Sequence, residues 1–280
     1  MSRTLTRGLA ALAATAIVAT LAACTPATPE APATEGASYV TDGKLTIATG
    51  EPAYYPYVID NAPESGEGFE SAVAYAVAEQ LGFAKKDVVW VRSTFEEAIA
   101  PGPKNFDLNL QQFSITPKRA ENVDFSSPYY STPQAVVTVA SSPAAKATSI
   151  ADLTGLLIGA QTGTTSFTTI EDVIKPTAGA QVFNTNDDAK LALENGSVDA
   201  IVVDLPTAFY LTGVELTDGV LIGQLPAAAG VSDEWGFVLS KDSALTADVT
   251  AAVDALREDG TLDAIAAEWL GADAGAPVLK

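Results

Sequence analysis

Two rhythms alternate along the chain from Lys44 onward. In KLTIAT (44–49), Leu45 and Ile47 fall two residues apart, the period of a strand. In GFESAVAYAVAEQLG, Phe69, Val73, Val77 and Leu81 recur every four residues and line one face of a helix, with Gly82 as its stop. DVVWVR (87–92), QAVVTVA (134–140), LLIGA (156–160), AQVFN (180–184) and DAIVVD (199–204) are further strand-like runs. Between the last two, NDDAKLALENG (186–196) opens on capping residues and closes on Gly196, as a helix does. This β-α-β order predicts an α/β fold of mostly parallel sheets flanked by helices.

The C-terminal end changes rhythm. Leu245, Val249, Val253 and Leu256 share one helical face. Leu262, Ile265 and Trp269 share another, with Thr261 as the expected N-cap and Gly271 as the stop. Two successive helices predict a closing hairpin. ADAGAPVLK is then expected to be a frayed tail. No internal repeat of fixed period is visible.

The N-terminal end has neither rhythm. Arg3 and Arg7 precede an apolar run of 16 residues, GLAALAATAIVATLAA, which is short for a membrane span and fits a secretory signal. It closes in LAAC, Leu21 to Cys24, which resembles a bacterial lipobox. That resemblance implies a lipoprotein signal peptide over 1–23 and a lipidated Cys24. Residues 25–39 are rich in Pro, Ala, Thr and Glu without an aliphatic pattern and read as a flexible tether. An anchor, a tether reaching residue 42 and a soluble body place the protein outside the cytoplasmic membrane, lipid-anchored to its outer face.

Composition narrows the chemistry. With 48% hydrophobic residues the chain can build a sizeable core. A net charge of -20 makes nucleic acid a poor partner. The absence of histidine removes the commonest general base and zinc ligand, and a sole cysteine forms no internal disulfide. No metal site and no cofactor are expected.

Ligand sites in open α/β sheets form beyond the carboxyl ends of strands. There the chain carries GEPAYYPY (50–57), with Glu51 and Tyr54; SITPKR (114–119), with Ser114 and Arg119; QTGTTS (161–166), with Gly163, Thr164 and Thr165; and Asp204. A guanidinium suits a carboxylate and a lone carboxylate suits an ammonium. An α-amino acid has both poles.

These stretches, in order, are similar to the extracytoplasmic solute-binding proteins of ABC importers, in particular the polar amino-acid family. TGEPAYYPY resembles its first loop and GFESAVAYAVAEQLG its first helix. FDLNLQQFSITPKRAENVDFSSPYY is close to its signature. IGAQTGTTS, VDAIVVDLPTAFY and LREDGTLDAIAAEWLG complete the set, over roughly residues 43–271. The resemblance implies a two-lobed periplasmic-binding-protein-like fold (type II) with two hinge crossings, near 131–137 and 232–236. Lobe 1 is then 43–131 plus 236–271, lobe 2 is 137–231, and 272–280 is a tail.

It also implies roles. Arg119 is to fork the ligand carboxylate with Ser114 beside it, and Gly163, Thr164 and Thr165 are to close on the same carboxylate. Asp204 is to take the ammonium. Tyr54 and Phe95 are candidate aromatic walls, Glu51 is to read the ligand side chain, and Gln112 stands where a small residue is common. The partners implied are an amino-acid ligand and a membrane permease, for a monomeric binding protein rather than an enzyme. No second basic residue is visible among the pocket candidates, which disfavours an acidic side chain; Glu51 with aromatic walls leans toward a cationic or amide one. Two alternatives stay open: a dehydratase acting on cyclohexadienyl substrates, and a ligand sensor. Tyr129 and Tyr130 are read as hinge or core packing, and Trp90 and Trp269 as core.

Overall fold

The computed structural model describes residues 38–227, 232–271 and 275–280. The signal peptide, Cys24 and most of the tether lie outside them. One five-stranded sheet has the order β2-β1-β3-β12-β4, from Leu45–Thr49 (β1), Val88–Arg92 (β2), Leu108–Asn109 (β3), Val123–Phe125 (β4) and Val238–Ser240 (β12). A second has the order β10-β6-β9-β7-β8, from Gln134–Val139 (β6), Ile158–Gln161 (β7), Gln181–Phe183 (β8), Ala200–Asp204 (β9) and Gly219–Gln224 (β10). Between them lies an antiparallel ladder of Tyr130–Thr132 (β5) and Asp233–Trp235 (β11).

Each sheet is mostly parallel: four strands share a direction and one, β12 or β6, opposes them. β1 runs parallel to β2 and β3, and β7 parallel to β8 and β9. The antiparallel partners include β6 and β12, the strands that directly follow β5 and β11. The chain enters each sheet there from the opposite end.

The alternation in β1 does not mark a solvated face. All five residues are buried, because helices cover one side of the sheet and a second apolar cluster covers the other. Helix Phe69–Gln80 (α1) buries Phe69, Val73, Ala74 and Val77 against that sheet, together with Thr246–Glu258 (α7) and Thr261–Trp269 (α8). Gly82 ends α1: its amide reaches the Glu79 carbonyl and that of Phe83 reaches Ala78. Thr261 is the first residue of α8 rather than its cap; its amide is held by the Asp259 carboxylate. Trp90 and Trp269 are half-buried at the edge of this core, whereas Trp235, Tyr57, Tyr129 and Phe69 form its interior and grip the ladder.

In the second lobe Thr165–Thr169 (α4), Asn186–Glu194 (α5) and Leu205–Tyr210 (α6) pack on β6, β7 and β9. Thr185 caps α5, accepting from the Asp188 amide. Phe95–Ile99 (α2) and Pro117–Ala120 (α3) are short helices of the first lobe.

The C-terminal residues do not fray. Residues 275–280 lie along β10: the Gln224 amide donates to the Pro277 carbonyl, the Leu279 amide to that of Gln224, and the Ile150 amide to that of Lys280. β10 would otherwise be an open edge, and the tail satisfies its backbone. Leu279, 3% exposed, plugs the second-lobe core. Gly223 is matched to this contact, since a Cβ there would stand 2.5 Å from the Pro277 carbonyl oxygen. Leu279→Ala is expected to cost about 2–4 kcal/mol of stability in urea unfolding. A loose tail would give a change within about 0.5 kcal/mol.

Candidate functional site

The strand ends of both sheets face one narrow cavity of about 70 Å³. Eight of the sequence candidates line it: Ser114, Arg119, Tyr54, Phe95 and Gln112 from the first lobe, and Thr164, Thr165 and Asp204 from the second.

Arg119 is aimed by a single helical turn. Thr116 caps α3, accepting from the Arg119 amide, and Pro117 pre-sets the backbone at its first position. Arg119 is 7% exposed, and its guanidinium lies 5.2 Å from the Phe95 ring centroid; Phe95 in turn stacks on Phe113. One nitrogen, Nη1, donates to the Ser114 carbonyl at 2.6 Å, and Nη2 donates across the cleft to the Gly163 carbonyl at 2.9 Å. Burial lowers its pKa to about 10, with Asp233 and Asp204 opposing, so it is a cation at neutral pH. Gly163 does not line the cavity: it presents its carbonyl from a backbone at φ 72°, a conformation that favours glycine.

In the second lobe, Thr164 is the N-cap of α4. Its hydroxyl accepts from the Phe167 amide and donates to the Gln161 carbonyl, so capping occupies it. The Thr165 hydroxyl meets Ser114 Oγ at 3.1 Å. Asp204 stands at the N-cap of α6 but makes no side-chain capping bond. Its carboxylate instead accepts from Gln134 Nε2 at 2.6 Å. Burial, then Asp233, push its pKa up to about 8, against the Gln134 bond and Arg119.

Glu51 is displaced from the expected place. It is exposed, ion-paired with Arg92 at 3.4 Å and bonded by Asn61, and it does not line the cavity. The cause is the pairing of β1 with β2, which sets Arg92 opposite Thr49, just before the Glu51 turn. The first-lobe carboxylate that lines the cavity is Glu70, in the first turn of α1. It accepts from the Gln112 amide, the Gln112 side chain and the Tyr129 hydroxyl, yet burial still raises its pKa to about 7. Gln112 therefore spends its side chain on Glu70.

Sequence reading also missed Gln111, Asn186 and Tyr57 in the wall. The cluster AYYPY was the available signal for Tyr57. Its hydroxyl meets Thr207 Oγ1 at 2.8 Å across the cleft, Tyr55 stacks on Tyr210, and the Tyr54 phenol faces Thr185 and Asp187. Three tyrosines of one first-lobe loop thus touch the second lobe.

Two α/β lobes around a cavity with a buried guanidinium and a facing carboxylate define a two-lobed small-molecule binding protein. The chain belongs to the bacterial extracellular solute-binding proteins, family 3, whose model matches residues 45–272. It is 29% identical over 238 residues to an L-arginine-binding protein of Pseudomonas aeruginosa, spanning 80% of this chain and 86% of that one. Among solved structures it is similar to an ancestral arginine-binding protein bound to arginine, at 27% identity and a TM-score of 0.67, over 81% of this chain and 98% of the other. It is also similar to an ancestral amino-acid-binding protein described as a precursor of cyclohexadienyl dehydratase, at 26% identity and a TM-score of 0.65, over 81% and 95% of the two chains. The curated relatives carry names of binding proteins, not of enzymes. Among the described residues, no helix is long and apolar enough to cross a membrane.

The raised carboxylates give stability a pH signature. The native state holds a proton on Asp204 between its ordinary value near 4 and about 8, where the unfolded chain has lost it. Stability contributed there is therefore lost as pH rises through that window. Asp204→Asn is expected to flatten the fall in urea midpoint between pH 5 and pH 8. An unchanged slope would show that Asp204 titrates normally.

Proposed function

We propose that this protein captures an α-amino acid outside the membrane by closure of its two lobes and presents it to an ABC permease. The observation that carries the reading is that a buried cation, Arg119, and a carboxylate, Asp204, come from opposite lobes and line one cavity. The ligand carboxylate pairs with Arg119, whose five N–H donors exceed the two bonds it makes now. The α-ammonium pairs with Asp204. Each ligand pole then binds best when the lobes are together, and exclusion of water strengthens both charge-assisted bonds. Ser114, Thr165 and the start of α4 complete the carboxylate end, while Tyr54 and Phe95 flank the ligand body.

For the ligand side chain, a cationic or amide group is favoured. Arg119 faces Asp204 and Asp233, and Glu70 also lines the cavity, so the surroundings carry more acid than base. Gln111, Gln112 and Asn186 add amides to the wall. With Glu51 held outside by Arg92, this preference rests on that group and not on the first loop. The LAAC motif would anchor the mature chain to the outer face of the membrane, which favours delivery over sensing.

A thermal-shift screen of the twenty amino acids is expected to find a stabilising ligand among arginine, lysine and glutamine, by about 2.7 kcal/mol at a hundredfold excess over Kd. With that ligand, Arg119→Ala is expected to lose about 2–5 kcal/mol of affinity by calorimetry, because a carboxylate is left unpaired. Unchanged affinity would remove Arg119 from the site, and turnover of arogenate or prephenate would favour the enzymatic reading.

A further inference from the structure

Gln134 is the first residue of β6, and the antiparallel register places it directly opposite Asp204. It is 5% exposed. Its Nε2 donates to Asp204 Oδ1 at 2.6 Å and to Asp233 Oδ2 at 2.5 Å, so both its N–H groups are spent on carboxylates. The other end of the amide, Oε1, accepts from Ser166 Oγ at 2.6 Å. In this orientation the amide donates to both acids, whereas a flip would turn its oxygen onto at least one ionised carboxylate. One neutral side chain thus ties an acid of the cavity, on β9, to an acid of the hinge ladder, on β11.

We propose that Gln134 is a positioning residue that joins Asp204 and Asp233 into one unit sharing a single negative charge, and that an incoming ammonium displaces the proton this unit holds. The inference deepens the amino-acid reading and rests on it for the displacement step. Geometry carries it. Two carboxylates that share one amide repel each other, and that amide is neutral. The nearby cation, Arg119, makes its hydrogen bonds to the carbonyls of Ser114 and Gly163 rather than to either acid. The other ionisable groups that act on Asp204 or feel its charge are Glu70 on α1, Tyr57 in the first loop and Tyr129 before β5. None of these supplies a positive charge. The raised titration of Asp204, caused by burial and by Asp233, agrees with this.

The O–H bond of the protonated pair breaks, the proton passes to solvent, and the ligand ammonium keeps its three hydrogens and bonds the new carboxylate. Binding then releases a proton and is tighter at pH 8 than at pH 6. Because Asp233 lies on the hinge ladder, the ligand's charge is felt where the lobes are joined.

The test begins with the full protein alone, by carbon-13 NMR titration of aspartate side-chain carboxyls, with Asp204 assigned from its loss in Asp204→Asn. The Asp204 midpoint is expected well above the ordinary range. It should fall by about one pH unit or more in Asp233→Asn, which removes the like charge. It should rise in Gln134→Leu, which removes the donor. A merely structural Gln134 would leave the midpoint in place, and circular dichroism checks that both variants fold. A midpoint in the ordinary range in the wild type, or one that neither variant moves, overturns the shared charge. Calorimetry with L-arginine as the probe, in phosphate and in Tris at pH 7, then reads proton release from the difference in heat. Equal heats with clear binding overturn the displacement while leaving the amino-acid site intact. Absence of binding by any amino acid overturns the functional reading, and the displacement with it; the shared charge is decided by the titration alone.

Discussion

A buried guanidinium must find acceptors, and Arg119 finds them in both lobes. Its bonds to the Ser114 and Gly163 carbonyls fix the first-lobe signature loop against the second-lobe turn ahead of α4. The one-turn helix that aims it, the phenylalanine pair beneath it and the left-handed glycine opposite it all serve that placement. Two acids lie nearby. Asp204 and Asp233 lie close enough to Arg119 to raise its pKa against burial, while their own hydrogen bonds go to Gln134.

The lobes meet at more than this one contact. The ladder of β5 and β11 is held by an aromatic core around Trp235, and the loop after β1 sends Tyr54, Tyr55 and Tyr57 against the second lobe. The C-terminal residues add a further tie: the chain leaves α8 on the first lobe and ends against β10 on the second. Hinge strands and tail join the lobes away from the cavity lining, whereas Tyr54 and Tyr57 join them from its wall.

The long elements were legible because their patterns are local. The faces of α1 and α7 and the apolar runs of β1, β6 and β9 follow from sequence period alone. Arg119, Ser114 and Asp204 were legible because they sit just beyond strand ends, with side chains that suit an amino acid. Glu51 was misread for a reason that period cannot show: Arg92 reaches it only once β1 and β2 pair in register. Glu70 was missed because an acid beside Phe69 looks like an ordinary first-turn charge. Its burial depends on Tyr129 and Gln112, distant in the chain. Gln134 looked like the polar start of a buried strand, and only the antiparallel pairing of β6 with β9 sets it on Asp204. The tail looked free because its anchor, the edge of β10, is a strand with two glycines, a register shift and no clear alternation.

The central claim is that a ligand is held at both poles, its carboxylate by Arg119 and its ammonium by Asp204. Calorimetry that compares the best amino-acid ligand with its decarboxylated and deaminated analogues tests this most directly. Removing either pole is expected to weaken binding by about a hundredfold or more, as the loss of one partner of an enclosed charge pair requires. An analogue that lacks one pole and binds as tightly as the parent would contradict it.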